Sequence, residues 1–269
     1  GVESAKVKSY TVYNHTLLAT EFKSVVDDYH HLKRHVQIWD VSCQKQIRVR
    51  GKDAEKLMRL ISPRDLTKMS LDQCYYVPFI DKKGGLLNDP IVLKITPFEY
   101  WISIADSDFL LYILGISDAL CFDTQIDLPT IYPVAIQGPK SEKLMVKVFG
   151  EEISDIKFFR YKKISYLESK LLIARSGWSK QGGFEIYLNQ PEIGMLLWND
   201  LISAGEEFNV RVGCPNLIER IEGGLLSYGN DMSQENTPFE AGLGKYVNSR
   251  DNFIGKENLL VRPFKKIIK

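Results

Sequence analysis

The order of helix-like and strand-like segments constrains the fold of this chain most strongly. Segments with apolar residues at helical spacing alternate irregularly with β-rich runs, without a steady strand–helix–strand rhythm. An α+β fold is therefore favoured over a doubly wound parallel sheet. The 269 residues contain no repeat, no low-complexity tract and no linker rich in proline or serine. Any division into domains is therefore expected to be compact and interleaved.

The composition excludes several classes of protein. Hydrophobic residues make up 44% of the chain and charged residues 26%, which is typical of a soluble globular protein. A formal net charge of +1 gives no electrostatic reason to expect nucleic acid or an anionic membrane as a partner. The sequence shows no apolar run long enough to span a bilayer and no signal-peptide pattern. We therefore predict a cytoplasmic protein.

The cysteines and histidines do not have the spacing of a metal site. The cysteines are far apart in the sequence and lack a C-x-x-C pair, which favours free thiols over zinc ligands or a disulfide framework. The histidines cluster near the start without an H-E-x-x-H pattern. The prediction is that no metal binds. The residues concerned are Cys43, Cys74, Cys121, Cys214, His15, His30, His31 and His35.

The hydrophobic pattern also predicts individual elements. Strands are predicted over 37–42 and 46–51, with a hairpin turn at 82–85. Helical periodicity identifies the longer helices. These predicted helices cover residues 17–33, 53–61, 108–119, 141–148, 193–204 and, up to its glycines, 217–226.

The run Trp178-Ser-Lys-Gln-Gly-Gly-Phe-Glu-Ile-Tyr187 has the residue types of a ligand site. Glycines allow the backbone to approach a flat ligand, and a carboxylate accepts paired hydrogen bonds from an amino-heterocycle. Aromatic rings offer stacking faces or a cage for a cation. Each of these residues also has an alternative interpretation without a ligand. Glu185 is then a surface carboxylate on a strand, which the glycine pair before it disfavours. Trp178 is then a side chain packed in the core, and the sequence does not decide between this and the ligand role.

Other segments, in chain order, carry a resemblance to a known family. Together with the run above, they resemble the folate-dependent methyl- and aminomethyltransferase family, whose best-known member is the glycine-cleavage T-protein. The stretch over 229–244 is the most specific of them, and the strand and turn over 134–140 are interpreted as structural. The segments are residues 38–42 with 49–54, 76–89, 134–140, 217–224 and 229–244.

The resemblance implies a T-protein-like folate-binding fold of the α+β class with interleaved lobes. The predicted first lobe combines residues 1–50, 131–150 and 214–262. The second, ferredoxin-like lobe combines residues 51–130 with 151–213. Members of the family normally add a C-terminal β-barrel lobe. Residues 263–269 are interpreted as the start of that third lobe, which is otherwise missing from the sequence.

By resemblance, tetrahydrofolate is the acceptor, and four residues bind it. Tyr76 faces the pteridine, Glu185 holds the pterin edge, Arg220 helps to fix the folate, and Trp178 contributes an aromatic face. An alternative for Arg220 is an ion pair with a neighbouring glutamate of its own helix. Asp89 is the predicted catalytic residue, because it faces the reactive nitrogen and its carboxylate stabilises positive charge that develops there.

Departures from the family pattern point to the substrate. Trp178 replaces a tyrosine, Ile104 replaces an asparagine and Asn88 replaces the first aspartate of a pair. The site thus gains an aromatic face and loses a polar partner, which suits an apolar cation. The segments GGLLNDP, SGWSKQGGFEIY and FEAGLGKYVN resemble the dimethylsulfoniopropionate demethylase branch of the family.

This resemblance implies a small sulfonium substrate whose methyl group passes to folate. Trp178, Tyr187 and Tyr76 are predicted to surround the cation. Its carboxylate requires a cationic or hydroxyl partner, and the candidates are Ser103, Arg175 and Lys180. Three other hypotheses stay open at this stage: a glycine-cleavage aminomethyltransferase, a non-catalytic folate-binding protein of the same fold, and a structural module without a ligand.

Overall fold

The computed structural model describes residues 1–261 and contains a mixture of strands and helices. The α+β prediction is therefore confirmed. Most of the predicted helices lie within one or two residues of the observed ones, as expected for apolar faces at helical spacing. The elements, in chain order, are β1 (Ser9–Tyr13), β2 (Thr16–Glu21), α1 (Val25–Arg34), β3 (Val36–Asp40), β4 (Gln46–Arg50), α2 (Ala54–Ile61), β5 (Cys74–Tyr76), β6 (Phe79–Ile80), β7 (Leu86–Asn88), β8 (Ile91–Thr96), β9 (Glu99–Ser103), α3 (Phe109–Ala119), β10 (Gln125–Asp127), β11 (Tyr132–Gln137), α4 (Ser141–Phe149), β12 (Tyr161–Tyr166), β13 (Ser169–Ala174), β14 (Gly183–Leu188), α5 (Gly194–Gly205), β15 (Val210–Gly213), α6 (Leu217–Glu222) and α7 (Lys256–Val261).

The chain forms two compact units, each assembled from two segments. The first unit contains Gly1–Gln44 and Thr130–Leu226, and the second contains Lys45–Pro129 and residues 227–261. Each unit therefore includes elements that are distant in sequence. This organisation agrees with the compact, interleaved division expected from the lack of a linker.

The first unit contains a six-stranded sheet in the order β12-β13-β14-β11-β3-β15. All neighbours are antiparallel except β15 and β3, which are parallel. Helices α4 and α5 cover one face, where Ile136, Phe184 and Leu201 belong to the hydrophobic core. Because successive strand residues point to opposite faces, Glu185 and Tyr187 lie on the other face, in register with strands β11 and β13.

The second unit contains a five-stranded antiparallel sheet in the order β10-β4-β9-β8-β5. Helices α2 and α3 cover one face, where Leu57, Ile102 and Ile113 are fully buried. In register across the sheet, Tyr76 lies opposite Ile91, which lies opposite Ser103. This row points away from the core that the helices cover, and β5 forms an open edge of the sheet.

The segment that follows Ser227 packs against the hairpin of β6 and β7. The Leu86 amide donates to the Asn236 carbonyl at 2.8 Å, and the Gln234 amide donates to the Asp81 carboxylate at 2.7 Å. A Cβ atom at Gly85 would lie 2.1 Å from the Gln234 carbonyl oxygen. The second glycine of the predicted turn is therefore required for this close packing.

The structure differs from the predicted boundaries in two places. The sequence pattern predicts one helix over 17–33, but the structure has strand β2 followed by α1, because β1 pairs with β2 as a hairpin. The predicted lobes place residues 151–213 in the second lobe. In the structure, β12 to β15 complete the sheet of the first unit, and the chain from Ser227 belongs to the second unit. The predicted start of a third lobe, 263–269, lies outside the described residues.

Three kinds of feature are absent from residues 1–261. None of the four cysteines, all within the described residues, forms a disulfide bond. No group of three or more histidine, cysteine, aspartate or glutamate side chains in this part of the chain is arranged to hold a metal ion. None of its helices has both the length and the apolar character needed to cross a membrane.

Candidate active site

Tyr76 and Asp89 form a hydrogen-bonded pair in the second unit. Tyr76 ends β5, and Asp89 lies just before β8, so the antiparallel pairing of these strands brings the two residues together. The Tyr76 hydroxyl donates to the Asp89 carboxylate at 2.8 Å. The ends of the second predicted segment, 76–89, thus meet in space.

The electrostatic environment of Asp89 is unusual for an aspartate. Burial raises its pKa to about 7, and the hydrogen bond from Tyr76 partly opposes this shift. The carboxylate of Asp231 raises the pKa further, and the hydroxyl of Tyr228 is a third titratable group close by. A carboxyl group that titrates near neutrality and is held by a tyrosine is a typical candidate for a functional site.

Asn88 has a structural role next to this pair. Its side chain is completely buried, and its amide nitrogen donates to the Ala105 carbonyl at 3.0 Å and to the Ser107 hydroxyl at 2.6 Å. Its amide oxygen accepts from the Ala105 amide at 3.1 Å. An ionised aspartate has no donor for this arrangement, so the departure from the family pattern at Asn88 is explained by hydrogen bonding to the loop after β9.

Glu185 is a buried carboxyl group in the middle of the sheet of the first unit. Its exposed fraction is 7%, and it accepts a hydrogen bond from the Ser176 hydroxyl. Burial raises the pKa of Glu185, and the Ser176 hydroxyl acts in the opposite direction. Its register partners on both sides are small, Ala135 and Ala174. The sheet therefore forms a flat surface around one carboxyl group.

The loop from Ser176 to Gly183 is held by Gln137, the last residue of β11. The Gln137 amide is completely buried, donates to the Ser176 carbonyl at 3.2 Å and accepts from the Ser179 hydroxyl at 2.7 Å. A Cβ atom at Gly183 would lie 2.3 Å from the Gln137 amide nitrogen. Gly182 has a φ of +80°. The glycine pair thus accommodates Gln137 and a left-handed turn, whereas the sequence pattern suggests close approach to a ligand.

This packing predicts that Gly183→Ala destabilises the protein by about 2–3 kcal/mol, because the new methyl group displaces a fully buried amide. The matched control is Gly115→Ala. Gly115 lies in α3, and apart from its chain neighbours and the nearby backbone of its own helix, no atom lies within 4 Å of the position that its new methyl group would take. Alanine should therefore stabilise that helix by about 0.5–1 kcal/mol. Urea unfolding of both variants measures the difference. Equal stabilities would contradict this role of Gln137.

Trp178 and Arg220 lie together in the first unit. The Trp178 indole nitrogen donates to the Leu226 carbonyl at 3.1 Å, and the Arg220 guanidinium lies 5.8 Å from the ring centroid. Arg220 is 7% exposed and donates to the Leu225 carbonyl at 3.4 Å. This distance from the ring is within the range of a cation–π contact, so the structure brings together two of the predicted folate-binding residues.

The alternative for Arg220, an ion pair within its helix, receives no support from the two glutamates concerned. The Glu219 carboxylate accepts from the Lys180 amide and the Gln181 side chain at 2.8 and 3.1 Å. The Glu222 carboxylate is bound by Lys33, at 2.9 Å, and by the Tyr29 hydroxyl. Oε1 of Glu219 and Oε2 of Glu222 therefore accept hydrogen bonds from residues other than Arg220.

The predicted substrate-binding residues have different environments. Tyr187 is on the same face as Glu185 but only 1% exposed. Ser103 is 2% exposed and accepts a hydrogen bond from the Gln46 side chain at 2.9 Å. It lies two strands away from Tyr76, which corresponds to roughly 10 Å across the sheet. Roles for Tyr187 and Ser103 in substrate binding stay predictions.

Two other residues that the sequence singles out have structural contacts. The Arg175 guanidinium forms an ion pair with Glu142 and lies 5.3 Å from the Phe184 ring centroid, on the helix-covered side of the sheet. Arg175 is thus already paired with a carboxylate of the protein, and its role as the partner of the substrate carboxylate stays a prediction. Ile104 belongs to the hydrophobic core of the second unit. Its apolar side chain contributes to folding rather than to a binding surface.

Two residues of the site are missed or undervalued by sequence reasoning. Ser176, the hydrogen-bond partner of Glu185, carries no signal of its own, because a serine before a glycine is typical of turns. The structural role predicted for the segment of Gln137 is confirmed, but its position under the Trp178 loop is not predicted. Of these two residues, Gln137 could have been found from the sequence, because it lies in the motif over 134–140.

Comparisons with known proteins agree on one family. The family model of the GCVT N-terminal domain matches residues 2–251. The dimethylsulfoniopropionate demethylase DmdA of Ruegeria pomeroyi is 57% identical over 259 residues, which are 96% of this chain and 71% of that protein. An aminomethyltransferase of Caldanaerobacter subterraneus subsp. tengcongensis is 31% identical over 251 residues, 90% of this chain and 67% of that protein.

A solved structure provides the same answer for the fold. The glycine cleavage system aminomethyltransferase T from Bartonella henselae matches with a TM-score of 0.85 and 20% sequence identity. The match covers 96% of this chain and 72% of that one. The T-protein-like fold predicted from the sequence motifs is therefore confirmed.

Proposed function

Because the chain belongs to the GCVT N-terminal domain family, we propose that it transfers a methyl group from dimethylsulfoniopropionate to tetrahydrofolate. The observation that carries this proposal is the 57% identity to a dimethylsulfoniopropionate demethylase over 96% of the chain. The products are 5-methyltetrahydrofolate and methylmercaptopropionate. A cytoplasmic location belongs to the same proposal.

The candidate folate-binding side chains have the chemistry that a folate requires. Glu185 is a buried carboxyl group on a flat, small-residue surface, which suits the donor edge of a planar amino-heterocycle. Tyr76 and Trp178 offer aromatic faces, and Arg220 offers a cation for an anionic group. Bound tetrahydrofolate supplies the nucleophilic nitrogen that accepts the methyl group.

The chemistry makes few demands on the protein. Methyl transfer breaks one S–C bond of the sulfonium, and the electron pair of that bond stays on sulfur, which becomes a neutral thioether. The methyl group forms a new C–N bond with the lone pair of the acceptor nitrogen, and the proton of that nitrogen is released. The protein therefore aligns the reactants and excludes water. In its ionised form, Asp89 adds a negative charge that stabilises a cation, and the hydroxyl of Tyr76 fixes its orientation.

The test is a transfer assay with labelled substrate. Protein, tetrahydrofolate and dimethylsulfoniopropionate with deuterated S-methyl groups are mixed, and 5-methyltetrahydrofolate is followed by mass. We expect product carrying one deuterated methyl group, and none when either substrate is omitted. A protein that binds folate but yields no labelled product would exclude this donor for the chain as given.

The second candidate is a glycine-cleavage-type aminomethyltransferase, which the 31% identity to an aminomethyltransferase supports. That activity requires an aminomethyl group on a lipoylated carrier protein. Turnover with this carrier, together with inactivity towards the sulfonium, would favour the second candidate. Folate binding without turnover of either donor would favour a non-catalytic folate-binding protein.

Substitution of Trp178 tests the aromatic contact with the cation. We expect Trp178→Ala to raise the KM for dimethylsulfoniopropionate about tenfold, because a cation over an indole ring is stabilised by about 1–2 kcal/mol. Trp178→Phe keeps an aromatic face and should raise the KM by less than about threefold. Steady-state kinetics at saturating folate measures both. An unchanged KM in the alanine variant would assign Trp178 to structure alone.

A further inference from the structure

Arg64 occupies a fixed position at the open edge of the five-stranded sheet. It follows α2 on a short loop, where its amide donates to the Ser62 hydroxyl at 3.1 Å. The same hydroxyl donates to the Arg64 carbonyl at 2.8 Å, and Ser62 is completely buried. The backbone of Arg64 is therefore locked on both sides by one serine.

The guanidinium of Arg64 makes three contacts at this edge. It lies 3.9 Å from the ring centroid of Tyr75 and 5.0 Å from that of Tyr246. One of its nitrogens donates to the Tyr76 carbonyl at 2.8 Å. The open edge of β5 exposes backbone groups that no neighbouring strand binds, and Arg64 supplies the missing donor for Tyr76.

The charge of Arg64 has no carboxylate partner within residues 1–261; its described partners are the carbonyl and the two rings. Its side chain is partly buried, and burial lowers its pKa. Burial of a cation without an anion opposes folding. The contacts with Tyr75, Tyr76 and Tyr246 offset the free-energy cost of burying this charge. Because a neutral side chain would avoid that cost altogether, we look for a role of Arg64 other than stabilisation of the fold.

Tyr76 is connected to Arg64 through two routes. Its backbone carbonyl accepts the hydrogen bond from Arg64, and its ring packs edge-on against Tyr246, at 5.1 Å between centroids. The other end of Tyr76 is the hydroxyl that donates to Asp89. The planar, forked guanidinium can stack and donate at the same time, which an ammonium group does less well.

We propose that Arg64 is a positioning residue, which holds Tyr76 so that its hydroxyl reaches Asp89. Among the described contacts of Arg64, the one with a predicted ligand-binding residue is the hydrogen bond to the backbone carbonyl of Tyr76. Its link to catalysis rests on the proposed function, whereas its effect on the Tyr76–Asp89 pair does not. Loss of Arg64 should therefore act only through the Tyr76 hydroxyl.

The test is a double-mutant cycle read by NMR titration of the Asp89 carboxyl carbon. The groups that face Asp89 are Tyr76, Asp231 and Tyr228. Since the Tyr76 hydroxyl stabilises the ionised form, Tyr76→Phe should move the Asp89 titration upward by about 0.5–1 pH unit. Arg64→Gln should produce most of this shift. The double variant should titrate like Tyr76→Phe alone.

Two variants separate position from charge. Arg64→Lys keeps the positive charge but lacks the planar guanidinium that stacks and donates at the same time. It should therefore raise the Asp89 titration by at least half as much as Arg64→Gln does. Arg250→Gln removes an exposed arginine of the same unit and should leave the titration unchanged. Additive shifts in the cycle, or full recovery in Arg64→Lys, would overturn the proposal. If Arg64→Gln does not fold, the Asp89 titration in Arg64→Lys still tests whether Arg64 positions Tyr76.

The kinetic readout is kept separate from the titration. If the demethylase assay is positive, Arg64→Lys should lower kcat about three- to tenfold and leave the KM for dimethylsulfoniopropionate within about twofold, since the substrate contacts are intact. If the wild-type protein shows no turnover, the proposed function fails, but the NMR cycle still decides whether Arg64 positions Tyr76.

Discussion

Asp89→Asn is expected to lower kcat about 100-fold, while the dissociation constant of tetrahydrofolate changes by less than about threefold. The substitution keeps the shape of the side chain and an oxygen that accepts from Tyr76 at the same place. It removes the negative charge that stabilises a cation in a site poor in water. Single-turnover kinetics and folate titration measure the two quantities. An equal loss of both would indicate a binding role only.

The pH dependence of this variant provides a second measurement. Burial raises the pKa of Asp89 to about 7, so the ionised, active form increases as the pH rises through neutrality. The wild-type kcat/KM should therefore reach half of its maximum at about pH 7 and level off about one pH unit higher. Asp89→Asn should show no such rise. The control is Asp118→Asn on the exposed surface of the same unit, which should keep the wild-type profile.

Stability should respond with the opposite sign. The folded protein holds the Asp89 proton more tightly than the unfolded chain, in which an aspartate titrates near 3.8. This residue therefore lowers the free energy of unfolding as the pH rises from about 4 to 7, by about 2–4 kcal/mol in total. Asp89→Asn removes this pH-dependent loss of stability. The free energy of unfolding of the variant, measured with urea, should therefore exceed that of the wild type by more at pH 8 than at pH 5.

Glu185→Gln is expected to weaken tetrahydrofolate binding about 100-fold, equivalent to about 2.7 kcal/mol. A carboxylate accepts hydrogen bonds through both oxygens, whereas a glutamine presents one acceptor and an amino group that opposes the donors of an amino-heterocycle. Since the site is buried, the displaced donors cannot turn to water. Isothermal titration calorimetry measures the change. Wild-type affinity in this variant would assign Glu185 to structure.

Two controls accompany the Glu185 measurement. Glu152→Gln changes an exposed glutamate of the same unit and should bind folate like the wild type. Ser176→Ala removes the hydroxyl that favours the ionised form of Glu185. It should weaken binding by less than Glu185→Gln, and more at low pH than at high pH, because the raised pKa of Glu185 then rises further.

The sequence alone was sufficient where the signal is local. Helical spacing located α2 to α5 within two residues, and turn glycines located the hairpin before β7. The resemblance over 76–89 singled out Tyr76 and Asp89 as separate ligand-facing residues, and the structure adds the hydrogen bond between them. The helices and the hairpin depend on residues that are neighbours in the chain, so backbone geometry and side-chain period determine them. The contact between Tyr76 and Asp89 depends in addition on the pairing of β5 with β8.

Only the tertiary structure decided how distant segments combine. The sequence analysis placed residues 151–213 in the second lobe, but their strands belong to the sheet of the first unit. No local sequence pattern predicts that β14 pairs with β11 or that β15 pairs with β3. The same holds for individual side chains. Arg175 lies on the helix-covered face and Gln137 under the Trp178 loop, because register determines which face a strand residue occupies. Arg64 carried no signal at all, since its three contacts come from other parts of the chain.

The sequence by itself thus determined the fold class and the family, because these follow from local period and from motifs. The ligand-binding roles that it assigns stay predictions. The tertiary structure decided the composition of the two units, the raised pKa of Asp89 and Glu185 and the position of Arg64. The physical reason is that burial and strand pairing depend on which distant residues meet, and that depends on the packing of the whole unit.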